Sequence, residues 1–157
     1  YCPLIWMFHS RALNNKINRI HERALRIVYQ DKINSFEDLL KKDNSVTIHQ
    51  RNLQVLVTEI FKVKLGIAPT IIAELFSSRN NHYSLRNPSD FDRIAIKSVR
   101  FGENSLSYFG PLIWDQVPMK FKLFDSLNEF KKAIKNFIFE NCPCRLCKNY
   151  IQGVGFI

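Results

Sequence analysis

The sequence predicts a mainly α-helical bundle with a short central β-ribbon and a Cys-rich C-terminal tail. Three observations carry that expectation. Apolar residues recur at helical spacing in several segments, and only 5 Gly and 6 Pro interrupt the 157 residues. Three of the 4 cysteines crowd together, as Cys142, Cys144 and Cys147.

The elements follow in order. From Asn15 onward, Ile17, Ile20, Ala24, Ile27 and Val28 keep the spacing of one apolar stripe, which the pattern places in the core. Lys16, Arg19, Arg23 and Arg26 repeat directly beside it as a cationic stripe. Ser35, followed three residues later by Asp38, opens a short helix that runs to Lys42. A longer helix is expected from Val46 to Leu65, with Leu53, Leu56, Val57, Ile60 and Phe61 on one face. Gly66 ends it and Pro69 prevents its resumption. Another turn or two of helix follows over Ile71 to Phe76.

The centre reads differently. Ser77 to Phe91 is polar and turn-rich around an extended piece, His82 to Arg86, and Ile94 to Phe101 has the β-branched content of a strand. These two pieces make the expected ribbon. Gly110-Pro111 breaks Ser105 to Trp114 into two short helices meeting at a kink, with Trp114 buried. Ser126-Leu127-Asn128-Glu129 is a capping box. Behind it Leu127, Phe130, Ile134, Phe137 and Ile138 form a core stripe, and Lys131, Lys132 and Lys135 face solvent. The resulting organisation is a helical segment over 1–76, a polar loop and ribbon over 77–103, C-terminal helices over 104–140 and the Cys-rich tail over 141–157, together one compact domain.

Composition narrows the function. The 46% hydrophobic and 13% aromatic content supports a real core and excludes a disordered chain. The 23 Lys+Arg against 14 Asp+Glu leave +9, a surplus that points to polyanions, nucleic acid first. No basic tail accounts for it, so it belongs to the folded surface. No apolar run approaches the length of a membrane span. The chain opens on Tyr1, and its apolar start lacks the basic residues and cleavage site of a signal peptide. The expectation is a C-terminal fragment of an intracellular protein, cytoplasmic and nuclear.

Catalytic constellations fail: there is no G-x-S-x-G, no Gly-rich phosphate loop, no H-E-x-x-H and no Asp-Asp pair. Asp90 and Asp92, directly after Asn87-Pro88-Ser89, read as turn residues. The tail is the sharpest local feature. Three thiolates within one turn can converge on Zn²⁺, with Arg145 and Lys148 helping to keep them deprotonated. No Cys or His follows Cys147, so a fourth ligand must come through the fold, from Cys2, His9, His21, His49 or His82. The competing reading is a buried cluster of free thiols. His49, one turn ahead of Leu53, reads as a hydrogen-bonded core histidine, and His21 as a solvated or phosphate-facing one. His9 and His82 are the better placed to reach a distant partner.

Several stretches together carry a resemblance. They are Tyr1 to Met7, Asn18-Arg19-Ile20-His21-Glu22-Arg23-Ala24-Leu25-Arg26, Phe36 to Leu40, Ile48-His49-Gln50-Arg51-Asn52-Leu53-Gln54, Phe109-Gly110-Pro111-Leu112-Ile113-Trp114 and Cys142 to Lys148. Over nearly its whole length the chain resembles the C-terminal region of the reverse transcriptase (RNA-directed DNA polymerase) of non-LTR retrotransposons of the jockey-like and LINE type. The resemblance implies a thumb-like bundle downstream of the polymerase palm, without the palm's catalytic aspartates and their Mg²⁺. Its partners would be the RNA and DNA of a template–primer duplex and the upstream palm. Some relatives end in a C-C-H-C zinc knuckle, from which the three cysteines and missing downstream His depart. Lys16, Arg19, Arg23 and Arg26 are then the first candidates for gripping the nucleic-acid backbone, and Lys131, Lys132, Lys135, Arg145 and Lys148 the second.

Overall fold

A computed structural model describes residues 3–78, 89–97, 102, 104–144 and 147. They are mainly helical, and no strand occurs among them. The helices are α1 (Pro3–Trp6), α2 (Arg11–Tyr29), α3 (Phe36–Asp43), α4 (Ile48–Lys64), α5 (Thr70–Ala73), α6 (Leu106–Trp114), α7 (Met119–Lys122) and α8 (Leu127–Lys135).

α4 is the axis of the core, packed against α8, α6 and α1. Leu53, Leu56, Val57, Ile60 and Phe61, the face its periodicity predicts, are fully buried. The Phe61 ring stacks on Phe130 of α8 with centroids 4.0 Å apart, and Trp114 of α6 lies tilted against both at 6.4 and 6.1 Å. Aromatic side chains of this size dominate the burial of a small core. Trp114 keeps its polar end satisfied by donating its indole N–H to Asp90 at 2.7 Å, and the buried Lys122 ammonium sits 3.8 Å from the same carboxylate. Asp90 is therefore more than a turn residue.

Helix ends follow local chemistry. Ser35 accepts a hydrogen bond from the Asp38 amide, and Asn44 ends α3 in the left-handed conformation. Gly66 closes α4 with a φ of +71°.

Four expectations change. The short β-ribbon reduces, among the described residues, to one antiparallel bridge between Ser78 and Phe91. Residues 94–97 are irregular, while His82–Arg86 and 98–101 lie outside the described residues. The two short helices expected around Gly110-Pro111 are one, and Pro111 sits inside a continuous α6. Burial of Phe109 on one side, and of Ile113 and Trp114 on the other, keeps the two turns in one helix despite the missing amide. Gly110 permits the close approach, because a Cβ there would run into the Phe76 ring. α8 starts after Ser126 as expected, but the Ser126 side chain makes no capping bond, and Ile138 lies beyond the helix and exposed.

The fourth correction concerns α2. Its expected core stripe faces water: Ile20 is 67% exposed and Ile27 77%. Leu25 is buried instead, joining Leu39 and Leu40 of α3 with Tyr29 and Phe36 at the margin. Contacts to α3 set this rotation. Tyr29 donates to Asp43 at 2.8 Å, and His21 stands edge-on to Phe36 at 5.6 Å.

Gly110→Ala should lower stability by about 1–3 kcal/mol through overpacking against Phe76. In the same denaturant titrations Ser35→Ala should cost about 1 kcal/mol and Ser126→Ala less than about 0.5 kcal/mol. Equal costs for the two serines would contradict the cap assignments.

Candidate metal centre

The first turn of α4 and the segment after α8 build this site together. Thr47 caps α4, its Oγ1 accepting from the Gln50 amide at 3.3 Å, and so fixes where the first turn points. Gln50 then closes a two-way amide bridge with Phe139. Its Nε2 donates to the Phe139 carbonyl and its Oε1 accepts from the Phe139 N–H, both at 3.0 Å. One turn on, Gln54 donates to the carbonyls of Lys135 and Phe137 at 3.0 and 3.1 Å. These carbonyls lie at and just beyond the end of α8, where backbone acceptors have no helical partner. The glutamines thus hold the descending chain along α4 and deliver Cys142 to its N-terminus. Gln116 adds a hold by donating to the Asn141 carbonyl at 2.9 Å. A backbone bond from the Cys147 amide to the Cys144 carbonyl, 3.1 Å, folds the last cysteine back.

The result is a four-ligand cluster. His49 Nε2 lies 3.5 Å from Sγ of Cys142 and 3.4 Å from Sγ of both Cys144 and Cys147. All four candidate ligand atoms lie within 4.8 Å of one another. A tetrahedral ion with sulfur at about 2.3 Å and nitrogen at about 2.0–2.1 Å requires a nitrogen–sulfur edge of about 3.6 Å. The three nitrogen–sulfur edges sit just inside that, so the imidazole and the thiols are placed to share one ion. Three thiolates and an imidazole are a zinc donor set, softer than Mg²⁺ or Ca²⁺ would choose. His49 and Cys142 are buried, Cys144 and Cys147 half-buried. His49 Nδ1 is buried with no hydrogen-bond partner.

The electrostatics suit a cation-binding pocket. Burial alone would lower the His49 pKa, but its contacts with Cys144 and Cys147 outweigh this and hold it up at about 9. Hydrogen bonds from Cys142 and Cys147, with His49 adding to them, push the Cys144 thiol well below its ordinary value against the effect of burial. Cys142 is held up, because its proton is shared with Cys144 and Cys147 and burial adds to the effect. In the metal-free cluster a thiolate at Cys144 thus faces a protonated His49.

His49 corrects the sequence reading. It is buried as its position on the α4 face implies, but it is a member of the cysteine cluster and not an isolated core histidine. His9 reaches no distant partner: its Nδ1 lies 2.7 Å from the Trp6 carbonyl oxygen. His21 is half-buried, with a pKa lowered by burial, and does not face solvent freely. Cys2, His82, Arg145 and Lys148 lie outside the described residues. The cationic candidates divide. Lys16, Arg19 and Arg23 are exposed along α2, as are Lys131, Lys132 and Lys135 along α8. Arg26 is engaged, donating to Glu22 at 2.6 and 3.1 Å and to the Asp31 carbonyl at 3.3 Å. Gln50 and Gln54 escaped sequence reasoning. The available signal was a polar residue, Gln54, inside an otherwise apolar stripe.

Zinc entry must expel the protons held by His49 and Cys142. The association constant should therefore rise by more than one decade per pH unit between pH 7 and 8.5, in competition with a chromophoric chelator. A rise below one decade would contradict the proton distribution described above.

Comparison with protein-family models, curated proteins and solved structures finds no match to this chain.

Proposed function

We propose that this chain is a non-catalytic, zinc-organised helical domain that binds nucleic-acid backbones, the C-terminal holding part of a retrotransposon reverse transcriptase. The observation that carries the zinc half is the closure of His49 with Cys142, Cys144 and Cys147 into one compact set. Four protein ligands leave a tetrahedral ion no open position for water or substrate, which is the pattern of a structural and not a catalytic zinc. Its role here is to fasten the tail to α4, beside a core whose largest members are Trp114, Phe61 and Phe109.

The nucleic-acid half is supported by the net charge of +9 and by cations exposed along two helices. Lys16, Arg19 and Arg23 share one arc of α2, and Lys131, Lys132 and Lys135 line α8. Phosphate contacts need charge and reach but no base-specific geometry, which suits long side chains on a helix surface. The sequence resemblance to the region downstream of a polymerase palm points the same way. The palm itself would supply catalytic carboxylates and their Mg²⁺. No helix among the described residues is long and apolar enough to cross a membrane.

Two measurements test the two halves separately. Purified protein should carry one zinc per chain, and its removal by chelation should lower Tm by more than about 10 °C. An unchanged Tm would remove the structural zinc. If Lys16, Arg19 and Arg23 each touch a phosphate, log affinity for an RNA–DNA duplex should fall with log salt at a slope of about three. Arg19→Glu with Arg23→Glu should reduce that slope by about two. A slope unmoved by the double substitution would take α2 out of the interface.

A further inference from the structure

We infer that the outer face of α2 is the docking surface for an acidic amphipathic helix of a partner protein. This goes beyond the nucleic-acid reading and does not rest on the zinc. Leu13, Ile20 and Ile27 recur seven residues apart, with Ala24 and Val28 filling in between them. Leu13 is 50% exposed and Val28 69%, in line with Ile20 and Ile27. At about 100° per residue these side chains share one arc, as wide as the stripe by which a surface helix grips its own core. Ile17, on the same arc, is half-buried, and the other members are exposed among the described residues.

The side of α2 next to that arc, the one that packs on α3, is the reverse of what a core-facing surface carries. Asn14, Asn18 and His21 line it with Leu25, and Asn14 Oδ1, Asn18 Oδ1 and His21 Nδ1 are buried without hydrogen-bond partners. Unpaired buried polar atoms weaken packing. α2 therefore turns its poorer face to the domain and its better apolar face to water. An exposed stripe of this length marks an interaction site.

Charge selects the occupant. α2 carries Arg11, Lys16, Arg19, Arg23 and Arg26 against Glu22 alone, and Glu22 is consumed by Arg26. Lys16 and Arg23 border the apolar arc on one side, with Arg19 next to them. A second copy of α2 would bring like charges together, and a phosphate backbone on Lys16, Arg19 and Arg23 would leave the apolar arc wet, so an acidic helix and a duplex would compete for these cations. A helix with a Leu or Ile seam and a row of glutamates along its edge meets both requirements. The 19 residues of α2 extend about 28 Å, which matches a partner segment of about three heptads.

The test uses the full zinc-loaded chain and a labelled 21-residue peptide with Leu at heptad positions a and d and Glu at e and g, read by fluorescence anisotropy. Saturable binding is expected. It should weaken more than about tenfold with Ile20→Ser/Ile27→Ser, and similarly with Lys16→Glu/Arg23→Glu. The matching peptide with Lys at e and g should not bind. These substitutions lie on exposed positions, and Ile20→Ser/Ile27→Ser should leave the salt slope for duplex binding unchanged, which separates this proposal from the nucleic-acid one. Equal binding of both peptides, insensitivity to the isoleucine pair, or no binding by about 100 µM peptide would overturn it. So would a wild-type dimer that Ile20→Ser/Ile27→Ser dissociates, or flotation with phosphatidylserine vesicles in place of peptide binding.

Discussion

The meeting of the α4 N-terminus with the chain that leaves α8 is the constraint on which the tail depends. His49 and Cys142 are 93 residues apart in sequence, and closing so long a loop carries a large entropic cost that local contacts must offset. Two glutamines and a candidate metal centre supply those contacts from one helical face. The glutamines bond to backbone groups, so they fix the path of the chain whatever side chains it carries. The four-ligand cluster then fixes its end.

This arrangement separates organisation from function. The aromatic centre, Phe61, Phe130 and Trp114, holds α4, α6 and α8 by burial. The cysteine cluster packs at the margin of that same core, with Cys142 buried in it and Cys144 and Cys147 against it. A domain so organised can leave its cations free. Lys131, Lys132 and Lys135 are exposed along α8, while Arg26 of the α2 stripe is consumed by its pair with Glu22. A grip on phosphates is thus compatible with the fold at two separate helices.

What the sequence disclosed followed from local physics. The α4 stripe from Leu53 to Phe61 was legible because one helix face so apolar and so long has to be buried. The stop at Gly66 was legible because helix termination is short-range chemistry. The rotation of α2 was not. Periodicity identifies which face is apolar, but what covers that face depends on α3, through Tyr29, Asp43 and Leu39, and no local signal ranks Leu25 above Ile20 and Ile27. Pro111 misled for the same reason: the local penalty was real, and burial of its neighbours outweighed it. In the candidate site, Cys142, Cys144 and Cys147 announced themselves by spacing. The fourth member required knowing that α4 runs back to the tail, and His49 was read correctly as buried but assigned the wrong company.

The central claim is that one zinc ion joins His49 to the three cysteines, and X-ray absorption at the zinc edge tests it most directly. The account predicts a four-coordinate shell of about three sulfurs at 2.3 Å and one imidazole nitrogen at 2.0–2.1 Å, with the nitrogen lost in His49→Ala. A shell dominated by oxygen and nitrogen, or one unaltered by His49→Ala, would contradict it.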